Sequence, residues 1–343
     1  MSDQLTGPVT IMENPMTEKR PYGMNNVLVV IDLGNGEVNS KVKVGNTEKW
    51  IETSFPSVVA ENFDGGFSVN NRKVVVGEYA TKLRCSLTGK SATGKVDNAL
   101  PLLVNVLKET VGFDNPLKVN VVFGCPSVKE YGDDIKAQLV GIHTVKIEGD
   151  PISLTDDISQ RVQVATVVPQ LEGYQAHRMI PAKSGKVRYI ADIGNRTVIL
   201  TAVNDKGGIV SRDHRKQIDG CGVQSIAQKV SESEGLVGLP HAPRIPSPQS
   251  VINYLLDTKF TANEQKAVEA RINPFLGACL DEAADWVAER ISSGDTVHLI
   301  GGGARIPGVA DLFEPKAKVT KNSSWATVNG LCKIADELIS RAK

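Results

Sequence analysis

Two stretches of this chain spell the same local structure: VLVVIDLGNGEVNSKV, beginning at Val27, and VRYIADIGNRTVILTAV, beginning at Val187. In each, a β-branched hydrophobic run ends in Asp, an apolar residue, Gly and Asn, and a second alternating run follows. That pattern reads as a strand, a glycine turn and a second strand. Asp32 and Asp192 stand roughly 160 residues apart, a spacing too long for a solenoid and suited to two duplicated domains, each with its own hairpin. Two unrelated Asp-Gly turns are the alternative. With 343 residues, 41% of them hydrophobic, the chain is long enough to bury two ordinary cores.

Lys+Arg and Asp+Glu each number 39, so no net field draws the molecule to nucleic acid or an anionic membrane. Cys85, Cys125, Cys221, Cys279 and Cys332 are scattered singly. They form no C-x-x-C pair and have no histidine at metal-ligand spacing, which points to a reducing, cytoplasmic setting without structural zinc. No run approaches the roughly 20 apolar residues that span a bilayer. The segment 1–26 is polar, carries Pro8, Pro15 and Pro21, and reads as a disordered extension or a docking arm.

Between the hairpins, LPLLVNVLKETVG has helical spacing, VNVVFGCPSV reads as a buried strand ending at Gly124 and Pro126, and VQVATVVPQLEGYQAHRMI as a strand that breaks at Pro169 and enters a helix. After the second hairpin come a helix-like VQSIAQKVSES and a proline-rich loop, LVGLPHAPRIPSPQS. A long helix from Glu264 to Ile291 follows, with Val268, Ile272, Leu276, Leu280, Ala283, Val287 and Ile291 on one face and a kink expected at Pro274. The chain closes with the strand TVHLI, the turn GGGARIPGVADLF and the helical VNGLCKIADELISRAK.

A strand that delivers a carboxylate to a glycine turn sets backbone N–H groups and a negative charge at one point. The amides suit phosphate oxygens, and the carboxylate suits a hydrated Mg²⁺. Two such turns from two domains can grip one triphosphate from opposite sides. Gly301, Gly302 and Gly303 after a β-branched strand allow close backbone approach to a flat or anionic ligand.

In this order the motifs resemble those of the actin, DnaK-type chaperone and sugar-kinase superfamily. VVIDLGNGEVNSKV is similar to its first phosphate loop and VVFGCPSV to the strand before the first connection. VPQLEGYQAH resembles the first connecting helix, YIADIGNRTVIL the second phosphate loop, LIGGGARIPGV the adenosine loop and SWATVNGLCKIADEL the second connection. DGCGVQSIA and ATVNGL resemble the ParM and StbA group of bacterial actin-like proteins that segregate plasmids. The resemblance covers Val27 to about Leu338.

It implies an α/β chain of two related ribonuclease H-like domains with mixed sheets flanking a nucleotide cleft. Domain I would span 27–187 and domain II 188–343, with a C-terminal helix at about 322–343 crossing back to domain I. Asp32 and Asp192 take the Mg²⁺-associated positions. Gly34, Asn35, Gly36, Gly194, Asn195 and Thr197 take phosphate-loop positions, and Gly301, Gly302, Gly303 and Ala304 the adenosine loop. Gln170 falls where the superfamily orients the attacking water, with Glu172 as reserve general base. The implied activity is Mg²⁺-dependent hydrolysis of ATP or GTP coupled to head-to-tail filaments, with a DNA-binding adaptor on a plasmid centromere as partner and no direct contact with nucleic acid or membrane. The phosphate-contacting lysine usual in the first loop is replaced by Asn39. Lys41, two residues on and on the same strand face, is the candidate substitute, the alternative being that this charge is absent; Arg196 could supplement it, but a solvent-facing arginine is the plainer reading.

Two other readings stay open: a small-molecule kinase of the same superfamily, which needs a carboxylate aimed at a substrate hydroxyl, and a nucleotide-dependent switch without filaments. GKSATGKV, from Gly89 to Val96, nearly spells a P-loop, but Val96 stands at the hydroxyl position and no buried strand precedes it. It reads as a flexible surface loop. His143, His177, His214, His241 and His298 form no catalytic or metal-binding spacing and read as surface or packing residues.

Overall fold

The computed structural model describes residues 25–34, 36–45, 47–83, 92–148, 158–313 and 317–342. Asn35, Cys85 and the segment 1–24 lie outside them. The first half consists of β1 (Asn25–Leu33), β2 (Glu37–Val44), β3 (Ile51–Pro56), β4 (Val59–Glu61), β5 (Phe67–Val69), β6 (Arg72–Val76), α1 (Glu78–Lys82), α2 (Ala92–Thr110), β7 (Leu117–Cys125), α3 (Val128–Leu139), β8 (Gly141–Ile147) and β9 (Ile158–Leu171). A 3₁₀ segment, Tyr174–Met179, leads into the second half. There follow β10 (Arg188–Ile193), β11 (Thr197–Val203), β12 (Arg215–Asp219), α4 (Val223–Ser231), α5 (Pro248–Asp257), α6 (Ala262–Ala288), β13 (Thr296–Ile300), β14 (Lys318–Val319) and α7 (Ala326–Ala342).

The strands form two mixed sheets. The nine-stranded sheet runs β3-β2-β1-β7-β9-β8-β5-β6-β4 and the five-stranded sheet β12-β11-β10-β13-β14. The first five positions of the large sheet repeat the small one. In both, the hairpin strands pair antiparallel with the strand beyond them, and two further strands pair parallel on the other side. The hairpins are equivalent residue for residue: Asp32 opposes Asn39 and Leu33 opposes Val38, as Asp192 opposes Ile199 and Ile193 opposes Val198.

Alternation along the strands sorts the cores. Val27, Val29, Ile31 and Leu33 point to one face of β1, where they join Leu103 and Leu107 of α2 in the first core. Val30 points to the other face and meets Val122 with Val328, Leu331 and Cys332 of α7. In the second half, Tyr189, Ala191 and Ile193 pack with Ile226 of α4 and with Val268, Ile272, Leu276, Leu280, Ala283 and Val287 of α6, the helical face expected from spacing. A reciprocal cap between Thr261 and Glu264 starts α6. Pro274 lies inside it, and Ile291 lies beyond its end.

Two expectations are corrected. Pro169 does not break its strand: β9 continues to Leu171, and the connecting element is 3₁₀ rather than α-helical. The pairing of β9 with β8 ends at Val164, so at Pro169 the strand is an edge on that side, where a missing N–H costs no ladder bond. The segment 89–96 is not a surface loop where it is described. Ala92 to Val96 belong to α2, Val96 packs against the first core, and Lys95 is buried.

Candidate functional site

Asp32 and Asp192 sit near the ends of equivalent strands whose turns meet. A Cβ at Gly36 would fall 2.7 Å from the Asn195 Cβ, so the two turns approach as closely as glycine permits. Asp32 faces Gly124 on β7, where a Cβ would stand 3.2 Å from its Oδ1. Gly124 in turn pairs with Gln170 on β9. Residues paired across a sheet share a face, so Asp32, Gly124 and Gln170 line one wall, with bare backbone between the two side chains.

Asp192 is enclosed by Gly173 and Gly301. A Cβ at Gly173 would lie 3.1 Å from its Oδ2, and one at Gly301 would lie 2.5 Å from its Oδ1 in a left-handed backbone with φ +80°. Alanine there meets both strain and collision. Gly303 is likewise packed against Ile193, whereas Gly302 has nothing within 4 Å of its would-be Cβ. Within the triple glycine, then, the outer two serve packing and the middle one faces open space. A 3₁₀ turn, Gly302–Arg305, follows, with Ala304 buried in it.

Glu172 ties the cluster together. Its carboxylate pairs with the Lys95 ammonium at 3.2 Å, and Lys95 is only 5% exposed. Burial lifts the Asp32 carboxyl well above its usual range, and Glu172 and Asp192 lift it further while Lys95 opposes them. Asp192 is pushed up to about 7 by burial and then by Glu172, against the Thr327 hydroxyl, Arg215 and Lys95. The Thr327 hydroxyl at the start of α7 donates to Asp192 Oδ2 at 3.4 Å. Arg215 reaches from β12 to the Pro126 carbonyl at 2.9 Å, bridging the two sheets. Burial lowers its guanidinium pKa, and Glu172 and Asp192 pull it back. Cys125, in the same neighbourhood, has its thiol pushed up to about 12 by burial and Glu172, so it is inert as a nucleophile.

The remaining candidates are spread around this cluster. Gln170 Oε1 accepts from Gln175 Nε2 at 2.9 Å, and Gln170 lines a cavity of about 380 Å³ with Ser127, Lys129 and Tyr174. Glu172, the reserve base, is thus the one whose charge acts on both aspartates. Gly194 closes its turn by donating to the Thr197 carbonyl at 2.9 Å, and Gly34 closes the equivalent turn against Glu37. Lys41 is not directed at Asp32. It pairs with Glu52 at 2.6 Å and lies over the Trp325 ring at 5.8 Å. Arg196 lines a separate cavity of about 370 Å³ with Gln224, Gln228 and Lys229.

The donor set suits a hydrated divalent ion. Asp32 Oδ1 and, on the strand opposite, Asn39 Oδ1 are buried with no hydrogen-bond partner, a costly state unless a ligand or water meets them. Among the described residues, no three carboxylate, imidazole or thiol donors converge on one ion position.

Solved structures share this architecture. A ParM from a 15-stranded filament of Clostridium botulinum superposes with a TM-score of 0.62 at 14% identity, covering 92% of this chain and 100% of that one. The actin-like protein Alp7A gives 0.65 at 13%, covering 92% and 98%. Bacillus thuringiensis ParM with ADP gives 0.62 at 15%, covering 92% and 99%. The chain has an actin-like fold. Identities this low establish the actin-like architecture alone. No protein-family model matches the sequence, and no curated protein is significantly similar to it. None of the described helices is long and apolar enough to cross a membrane.

Sequence reasoning missed Lys95, Arg215, Thr327 and Gly124. Thr327 lies in the ATVNGL phrase and Gly124 at an expected strand end, so both were visible without a role. Lys95 is the lysine of the GKSATGKV near-match, which reads as a surface loop because Val96 replaces the hydroxyl residue.

Proposed function

We propose that this chain is an actin-like nucleoside triphosphatase that assembles head-to-tail into filaments and moves plasmid DNA through a separate DNA-binding adaptor. The observation that carries the nucleotide reading is the meeting of two register-equivalent Asp-Gly hairpins around a buried carboxylate cluster whose Asp32 Oδ1 and Asn39 Oδ1 lack partners. The ADP named with one similar structure and the filament named with another support it. The adaptor and cargo rest on the motif resemblance, together with a balanced charge that provides no basic field for DNA.

In this reading the two glycine turns, at Gly34 and Gly36 and at Gly194, let phosphate oxygens come close to the backbone, and Gly302 lets the adenosine side pass close to the backbone. Asp32 and Asp192 are the residues that would hold Mg²⁺, which would supply charge neutralisation at the phosphates. Gln170 orients the attacking water in this reading, with Glu172 as the reserve general base, since positioning dominates phosphoryl transfer. A head-to-tail contact that does not close into a ring grows without limit. Nucleotide controls growth only by favouring one conformation of the protomer over another.

The test is phosphate release, light scattering and electron microscopy with Mg²⁺ and ATP or GTP across a protein concentration series. Filaments with phosphate release are expected. Their absence would overturn the filament, and transfer of phosphate to a sugar instead of water would favour the kinase. Gln170→Ala is expected to slow turnover about 10–100-fold while nucleotide affinity stays within about 3-fold. Unchanged single-turnover rates would remove Gln170 from the chemistry.

A further inference from the structure

The first hairpin has no cation across from its aspartate. The residue opposite Asp32 is Asn39, neutral and 7% exposed, with its Oδ1 unpartnered. Lys41 is engaged by Glu52 and Trp325. A triphosphate entering here meets three carboxylates, Asp32, Glu172 and Asp192, and its negative charge requires more than one hydrated ion to offset it.

One lysine is already buried at that point. Lys95 extends from α2 into the cluster and acts electrostatically on Asp32, Asp192 and Cys125. Its ammonium meets Glu172 at 3.2 Å. An ammonium has three N–H donors, so this contact leaves capacity for a second anion. Burying a lysine so deeply is expensive unless its charge is used.

We infer that Lys95 is the phosphate-binding cation of this cleft, taking the terminal phosphate of a bound nucleoside triphosphate where the first hairpin offers only Asn39. This rests on the reading of the cleft as a nucleotide site. Lys95 approaches from α2, outside both hairpins, so the terminal phosphate is gripped from a third direction. By keeping one donor on Glu172 it also shields the phosphate from that carboxylate. A compact point charge serves where no planar fork is required.

The experiment compares Lys95→Met, Lys95→Arg and the double variant Lys95→Met/Glu172→Gln in calorimetric titrations with a triphosphate and its diphosphate. Lys95→Met is expected to lose about 10–100-fold in triphosphate affinity, as for a lost hydrogen bond to a charged group. Diphosphate affinity should change less than about 3-fold, and Lys95→Arg should recover most of the loss. If Lys95 served only to neutralise Glu172, the double variant would regain wild-type triphosphate affinity, and the assignment would fall. A second measurement uses the unmodified protein: an acyl-phosphate derivative of the triphosphate should acylate Lys95, with competition by plain nucleotide. Labelling of Lys41 or Lys43 with Lys95 untouched would overturn the assignment. A wild-type chain that binds no nucleotide would overturn the proposed function itself, whereas full triphosphate affinity in Lys95→Met would overturn only the role of Lys95.

Discussion

Asp192→Asn is expected to raise the melting temperature of the nucleotide-free protein at pH 8 while abolishing turnover. In the folded chain burial and Glu172 push Asp192 up to about 7, against an unfolded value near 4. Below about pH 4 the carboxyl is protonated in both states and contributes nothing to the difference. As pH rises from about 4 to about 7, the unfolded chain ionises while the folded one stays protonated, so folding becomes progressively less favourable. Above about 7 the full cost is present.

Moving the carboxyl from near 4 to about 7 corresponds to about 4 kcal/mol, and its coupling to Asp32 brings the expected gain to the order of 2 kcal/mol. Asparagine keeps the shape and never ionises. For domains of this size that gain amounts to about 4–8 °C in melting temperature at pH 8, vanishing towards pH 4. Melting curves at both pH values check the sign; a gain that persisted unchanged at low pH would assign the effect to packing. Turnover should fall by at least about 10³-fold, as for removal of a group that stabilises transition-state charge.

Gly330→Ala is expected to cost more stability than any other single methyl addition on α7. At this residue α7 crosses the 3₁₀ segment Tyr174–Met179. A Cβ would overlap the Gln175 carbonyl outright and stand 2.9 Å from the Ala176 nitrogen. Backbone atoms cannot rotate out of the way, so one of the two segments must move, at about 3 kcal/mol or more. The damage should reach the site, because the same helix carries Thr327 to Asp192 and lays Leu331 3.7 Å from the Cβ position of Gly124, beside Asp32. Denaturant midpoints and nucleotide titrations check both effects. Wild-type stability in Gly330→Ala would show that the two segments are not held at this separation.

The two expectations test different physics. Asp192 concerns charge that the fold holds in a place unfavourable to it, as functional sites often do. Gly330 concerns the close approach that keeps the two connections between the sheets in register. A protein stabilised by the first change and weakened by the second would match a cleft whose chemistry costs stability and whose connections supply it.

What the sequence determined by itself was the paired hairpin. Strand, aspartate and glycine turn are encoded within some sixteen neighbouring residues, and local alternation and turn chemistry suffice to read them. Their equivalence extends to the pairings of Asp32 with Asn39 and Asp192 with Ile199. The buried face of α6 was legible for the same reason, since helical spacing is a local signal. Tertiary structure alone decided the rest. Pro169 stays in its strand because β8 stops short of it, and Lys95 is buried because Glu172, distant in sequence, stands opposite it. Lys41 is drawn away by Glu52, on a neighbouring strand. An ion pair or a sheet edge depends on which distant segments meet, and no window along the chain contains that information.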